Sequence, residues 1–196
     1  MRRLLVVLAI VAGLIVVVVI GLTQASQDNG PAAEVTHFDL QSAKGKLANA
    51  PGALHGLYAQ ANQLLGGGKP AFEKRLAKLR GHPVVVNKWA SWCVPCQSEF
   101  PVFQSVATKK GTKVAFLGVN GKDVDASARR FLAKRPLPFP SYTDPDEVIA
   151  RSLRIPQNYP MTVLLDRRGK MAYIHAGPYR DDAALQKDIK RYLGVR

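Results

Sequence analysis

The chain has 196 residues, 47% hydrophobic and 21% charged, with two cysteines and a formal net charge of +14. That length and apolar content suit one substantial domain with a packed core, and two cysteines alone cannot build a four-cysteine zinc site. The basic residues are scattered from Lys44 to Arg191 with no motif organising them, so the charge reads as a solvated surface near anionic lipid or acidic partners, and no nucleic acid partner is expected.

The first segment sets the compartment. Leu4 to Leu22 carries no charged or strongly polar side chain, and Arg2 and Arg3 precede it. As a helix it would reach about 28 Å, close to the hydrocarbon thickness of a bilayer. The positive-inside rule keeps the N-terminus in the cytoplasm and exports the rest. Thr23-Gln24-Ala25 loosely resembles a signal-peptide cleavage site, but the apolar run exceeds a usual signal core, which favours an uncleaved anchor. If the segment were cut, the product would be secreted. The expected organisation is an anchor or signal over 1–22, a linker over 23–36 and one domain over 37–196, with its core at about 72–194.

Within the domain, Val35 to Leu40 reads as a short strand. Ala53 to Leu65 reads as a helix stopped by Gly66-Gly67-Gly68, and Pro70 to Leu79 as another short helix. Val84 to Trp89 is a β-branched apolar run suited to a buried central strand. A helix from Cys93 to about Lys110 follows, with Pro101 inside it as an expected kink. Then come a strand over Lys113–Val119, a helix over Val124–Lys134, a strand over Phe139–Tyr142 and a helix over Asp146–Leu153. Met161–Asp166 and Met171–His175 read as a hairpin turning at Arg167-Arg168-Gly169-Lys170. An amphipathic helix over Asp181–Leu193 closes the chain. Strand–helix alternation followed by a hairpin and a last helix predicts an α/β fold, a mixed sheet covered by helices.

Both cysteines lie in the decapeptide from Trp92 to Pro101, as Cys93-Val94-Pro95-Cys96. A chain that places its only cysteines two residues apart reads as a dithiol redox protein, with Cys93 and Cys96 forming a redox-active disulfide. A bridge closing so small a loop constrains little of the unfolded chain, so it is poor as a structural staple. Cys93 sits where a helix starts, and the unpaired N–H groups and dipole there favour its thiolate. Cys96, one turn further in, is expected to be more buried and to resolve the mixed disulfide that Cys93 forms with a partner. Pro95 suits the first helical turn because its missing N–H had no partner there. Trp92 borders the pair and is a candidate for shaping the docking surface. Glu99, three residues after Cys96, lies on the same helical side and is a candidate carboxylate for raising the thiol pKa values and relaying protons. The histidines at 37, 55, 82 and 175 show no metal spacing, and dithiol chemistry calls for neither a metal nor a cofactor.

The stretch PVVVNKWASWCVPCQSEFP from Pro83 resembles the thioredoxin superfamily, and within it the TlpA/ResA-like membrane-anchored thiol–disulfide oxidoreductases, DsbE-like branch. Trp92, Cys93, Pro95, Cys96, Glu99 and Pro101 meet every fixed position of the WCxPCxxExP pattern. Phe116 to Asn120 is similar to the strand after the active-site helix. Tyr159-Pro160-Met161-Thr162, with Leu164, Leu165, Asp166 and Gly169, is similar to the cis-proline loop and hairpin. The resemblance covers about Phe72 to Leu193. It implies a thioredoxin-like fold and a cis bond before Pro160, with Tyr159 backbone groups offered to an extended substrate segment. It also implies a proton-relay role for Glu99, because Asn87 stands where cytosolic thioredoxins carry a buried aspartate.

The implied partners are cysteine-containing exported or membrane proteins and a membrane or extracytoplasmic electron donor, with the protein itself a monomer. Reduction of apocytochrome c before haem attachment is one role in that family. Strongly oxidising relatives carry a histidine between the cysteines; Val94 stands there here and tilts the pair toward a reducing or intermediate potential. An oxidant with the same residues and the opposite electron flow, and a non-enzymatic module with a permanent disulfide, are the competing readings. A peroxidase is disfavoured, because no PxxxTxxC setting appears.

Overall fold

The computed structural model describes residues 38–196. The expected anchor over 4–22 and linker over 23–36 lie outside the described residues. Among the described residues no helix is long and apolar enough to cross a membrane.

The chain runs α1 (Leu40–Leu47), α2 (Ala53–Tyr58), β1 (Leu64–Leu65), α3 (Gly68–Lys78), β2 (Val84–Trp89), α4 (Val94–Lys110), β3 (Ala115–Gly121), α5 (Asp125–Lys134), β4 (Ser141–Asp144), α6 (Val148–Ser152), β5 (Met161–Leu165), β6 (Met171–Ala176) and α7 (Asp182–Leu193). The strands form one sheet in the order β1-β4-β3-β2-β5-β6. β1, β4, β3 and β2 run parallel to one another, and β5 pairs antiparallel with both β2 and β6. This is the mixed sheet that the alternation of elements predicts.

Two expected elements differ. The described part of the proposed strand over 35–40 is not extended into a strand, because Asp39 caps a helix instead. Its side chain accepts hydrogen bonds from the N–H groups of Gln41 and Ser42 at 2.9 and 3.0 Å, a strong N-terminal signal. The helix expected over 53–65 ends at Tyr58. Asn62 turns the chain with φ of 63°, donates to the Leu132 carbonyl and accepts from the Leu137 N–H. Leu64 and Leu65 then pair with Ser141 and Tyr142, so edge pairing overrides their helical spacing.

All six residues of β2 are buried, which requires cover on both faces of the sheet. Side chains alternate along a strand. Asn87 and Trp89 face α4, where Asn87 bonds Glu99 and Trp89 meets Phe100 edge-on at 5.3 Å. Lys88 faces the opposite way, toward Glu147 at the start of α6. Helix α4 packs on α7 and α1, and α3 packs on α6 and β4. The centre of the sheet thus sends its C-terminal end straight into the cysteine helix.

The packing behind that junction is close. Trp89 Nε1 donates to Ser141 Oγ at 3.0 Å, and a Cβ on Gly118 would collide with that same Ser141 hydroxyl. Gly118→Ala is therefore expected to cost about 1–3 kcal/mol through overpacking. The check is a lower urea midpoint at unchanged m-value; an unshifted midpoint would show that the site relaxes.

Candidate redox site

Cys93 is the N-cap of α4, with φ of −85° and ψ of 101°. Its Sγ accepts the backbone N–H of Cys96 at 3.1 Å. An N-cap side chain that accepts from the first turn takes up one of the orphan donors of the helix. The same donor and the helix dipole favour a thiolate once the pair is reduced. Cys93 and Cys96 are joined as a disulfide with Cα atoms 5.2 Å apart. Cys96 is fully buried while Cys93 keeps 4% of its surface exposed, so Cys93 is the sulfur a partner can reach. Pro95 lies in the first turn of α4. Further along, Pro101 has no N–H to give Gln97, and the Arg135 guanidinium donates to that carbonyl instead at 3.2 Å. Helix α4 runs unbroken through the proline to Lys110.

Glu99 is completely buried one turn after Cys96. Its Oε1 accepts from Asn87 Nδ2 at 2.7 Å, and its Oε2 accepts the backbone N–H of Tyr179 at 3.1 Å. Burial pushes its pKa up to about 8, against the pull of the hydrogen bonds from Asn87 and Tyr179. The acid is therefore mostly protonated near neutrality, with a carboxylate fraction of about a tenth available as a base. Asn87 also donates weakly to Thr162 Oγ1 at 3.4 Å, its in-register neighbour on β5. Asn87 Oδ1 has no hydrogen-bond partner. Rotating that amide would present this oxygen to the hydroxyl of protonated Glu99.

The peptide bond from Tyr159 to Pro160 is cis. β5 pairs antiparallel with β2 from Met161 opposite Lys88 onward. This register brings Pro160 and Tyr159 beside the C-terminal end of β2, a few residues before Cys93. Trp92 is 55% exposed, donates from Nε1 to the Lys122 carbonyl at 2.8 Å, and meets the Tyr159 ring edge-on at 5.1 Å. Trp92 and Tyr159 together form an aromatic border beside the disulfide.

Five residues outside the motif support this arrangement. Asp123 clamps the loop before Cys93, accepting from Ser91 Oγ and Asn120 Nδ2 at 2.9 Å each. Tyr179 gives Glu99 a backbone donor, which no side-chain pattern announces. Lys88, Glu147 and Lys122 form an ion-pair group beneath Tyr159. Lys88 is the one charge in an otherwise uncharged strand, a sequence signal passed over inside a run read as apolar.

A family model described as Redoxin matches residues 59–191. The chain belongs to the Redoxin family. It is 32% identical over 140 residues to the thiol:disulfide interchange protein HelX of Rhodobacter capsulatus, covering 70% of this chain and 76% of that protein. It is 36% identical over 94 residues to the thiol:disulfide interchange protein DsbE of Pseudomonas fluorescens biotype C, covering 47% of this chain. That match spans about half of the DsbE relative, 51% of its length. Among solved structures, a putative thiol:disulfide interchange protein DsbE from Chlorobium tepidum aligns with a TM-score of 0.52 at 30% identity, covering 58% of this chain and 82% of that one. The Redoxin-family chain thus has a thioredoxin-like α/β fold and is similar in sequence to thiol–disulfide oxidoreductases of the DsbE and ResA type.

Proposed function

We propose that this Redoxin-family protein is an extracytoplasmic thiol–disulfide oxidoreductase that reduces disulfides in exported or membrane proteins, held at the membrane by residues 4–22. The observation that carries the reading is the Cys96 N–H on Cys93 Sγ, with buried Glu99 in the next turn. In the reduced protein, Cys93 thiolate attacks one sulfur of a partner disulfide, and the other partner sulfur leaves as thiolate. Cys96 then attacks Cys93 Sγ, reforming the internal disulfide and releasing the second partner sulfur. Two electrons pass to the partner. Glu99 carboxylate takes the Cys96 proton, the pKa values of acid and thiol being close enough for transfer in either direction. A membrane or extracytoplasmic donor then restores the dithiol. Exported cysteine proteins follow from the anchor reading, and apocytochrome c is the substrate class that the TlpA/ResA-like resemblance brings.

Electron direction is tested by equilibrating the protein with dithiothreitol or glutathione redox buffers and reading the thiol state. A potential below about −220 mV supports the reductant, and a value near −120 mV overturns it in favour of an oxidant.

A further inference from the structure

Strand β2 is buried throughout, yet it carries Lys88, whose side chain has no exposed surface. An unpaired ammonium in such a place costs several kcal/mol, so the partners of Lys88 say what the fold built around it. Nζ lies 2.6 Å from Glu147 Oε1 and donates to the Pro156 carbonyl at 3.0 Å. It also sits 4.0 Å from the centroid of the Tyr159 ring, a cation–π contact. An ammonium has three donors, and here each has a target. Two of the three targets, Pro156 and Tyr159, belong to the segment before Pro160. Glu147 takes hold of that segment a third time, accepting from the Tyr159 hydroxyl at 2.7 Å. Its other oxygen lies 3.4 Å from Nζ of half-exposed Lys122, whose carbonyl holds Trp92. Lys122 and Glu147 adopt φ of 47° and 55°, a region that non-glycine residues rarely occupy and that clusters where geometry is imposed for function. A side chain on Gly121 would collide with the Tyr159 hydroxyl, so the phenol packs directly against the glycine backbone. Residues 154–160 form neither helix nor strand; backbone bonds hold their two ends, from Arg154 and Ile155 to α6 and from Gly177 to Pro160, and the buried pair holds Pro156 and Tyr159 between them.

We propose that Lys88 and Glu147 are positioning residues that hold Tyr159 and, through Lys122, Trp92 in the geometry that docks a polypeptide disulfide beside Cys93, without taking part in the chemistry at sulfur. A buried ion pair adds little stability over well-packed apolar replacements, so the contacts of this pair to the segment before Pro160 point to positioning as its role. This inference rests on the oxidoreductase reading above.

The test is the double variant Lys88→Met/Glu147→Met, which removes both charges together and leaves none buried alone. Three readouts are taken: KM for a short synthetic peptide closed by one disulfide, the rate at which dithiothreitol reduces Cys93–Cys96, and the urea midpoint. The expected result is a KM raised by about tenfold or more, a dithiothreitol rate within about twofold of the parent, and a midpoint unchanged or higher. A parent-like KM, or a dithiothreitol rate that falls in step with peptide turnover, overturns the proposal. If the double variant does not fold, Tyr159→Phe removes only the bond to Glu147; an unchanged peptide KM there likewise overturns it. Failure of the parent protein to reduce the peptide at all would count instead against the oxidoreductase reading.

Discussion

Glu99→Gln is expected to stabilise the oxidised protein increasingly as pH rises from about 5 to 8, and by several kcal/mol at the alkaline end. The folded protein holds the Glu99 carboxyl at a pKa of about 8 because burial disfavours its charged form. In the unfolded chain the group ionises near its ordinary value. Between the two values the native state binds the proton and the unfolded state does not. The protein's stability is thus fully present below the unfolded pKa and falls as pH rises toward the folded one, by about 1.4 kcal/mol per unit. A glutamine has no proton to lose, so its variant escapes this loss. Its amide can still be satisfied once the Asn87 amide rotates: Oε1 accepts from the Tyr179 N–H, and Nε2 donates to Asn87 Oδ1, which has no partner in the native arrangement. Any fixed difference in packing shifts the comparison by a constant, so the slope carries the test. Urea denaturation of both proteins at several pH values reads it. A stability difference that stays flat from pH 5 to 9 would show that Glu99 ionises normally and would remove the physical basis for its role as proton acceptor.

The central half of the molecule was legible for a physical reason. Val84 to Trp89 is apolar and β-branched because the strand is covered on both faces, and the strand occupies those same residues. The cysteine helix announces itself through Cys93 at its start and Pro95 in its first turn. The N-terminal region was harder. Asp39 looked like part of an extended segment, yet its carboxylate caps α1. Leu64 and Leu65 sit at helical spacing, but Ser141 and Tyr142 offer them a strand edge, a tertiary choice that local pattern does not encode. The site divides in the same way. Cys93, Cys96 and Glu99 were visible as a spacing and Asn87 through the thioredoxin resemblance, and the sheet and α4 bring Asn87 onto Glu99. The Tyr179 N–H was invisible, since a backbone donor leaves no trace in side-chain identity. Lys88 was passed over inside a run read as apolar, and nothing near it in sequence names Glu147 or Tyr159 as its partners. Those pairings come from the crossover that returns the chain to the sheet through β4, α6 and the segment before Pro160.

Cys96→Ser is expected to abolish turnover and convert the protein into a covalent trap for its partners. The asymmetry between the two sulfurs dictates this. Cys93 keeps a little exposed surface and receives the Cys96 N–H on its sulfur, whereas Cys96 is fully enclosed. A partner disulfide is therefore attacked at the helix start, and the mixed disulfide forms on Cys93. Release depends on a second thiolate already held within the same turn of α4. Neighbouring groups of this kind can act at effective concentrations of about 10⁵ M or more, which millimolar external thiols do not match. Serine keeps the volume near that of the thiol but ionises far too weakly to attack sulfur. The backbone N–H of residue 96 remains to support the Cys93 thiolate, so the first step survives while the second is lost. Full-length Cys96→Ser protein, expressed in cells and separated under non-reducing conditions, should carry partners that dithiothreitol releases. Cys93→Ser should carry none, because its remaining thiol is buried. The identities of the released proteins decide the substrate class: exported proteins with paired cysteines support the proposed exported substrates, while the redox potential sets the direction of electron flow. Equal trapping by the two variants would mean that the sulfurs are interchangeable and that the N-cap geometry does not choose the nucleophile. No adduct from either, together with an internal disulfide that resists dithiothreitol, would make the pair a permanent bridge and the domain a binding module.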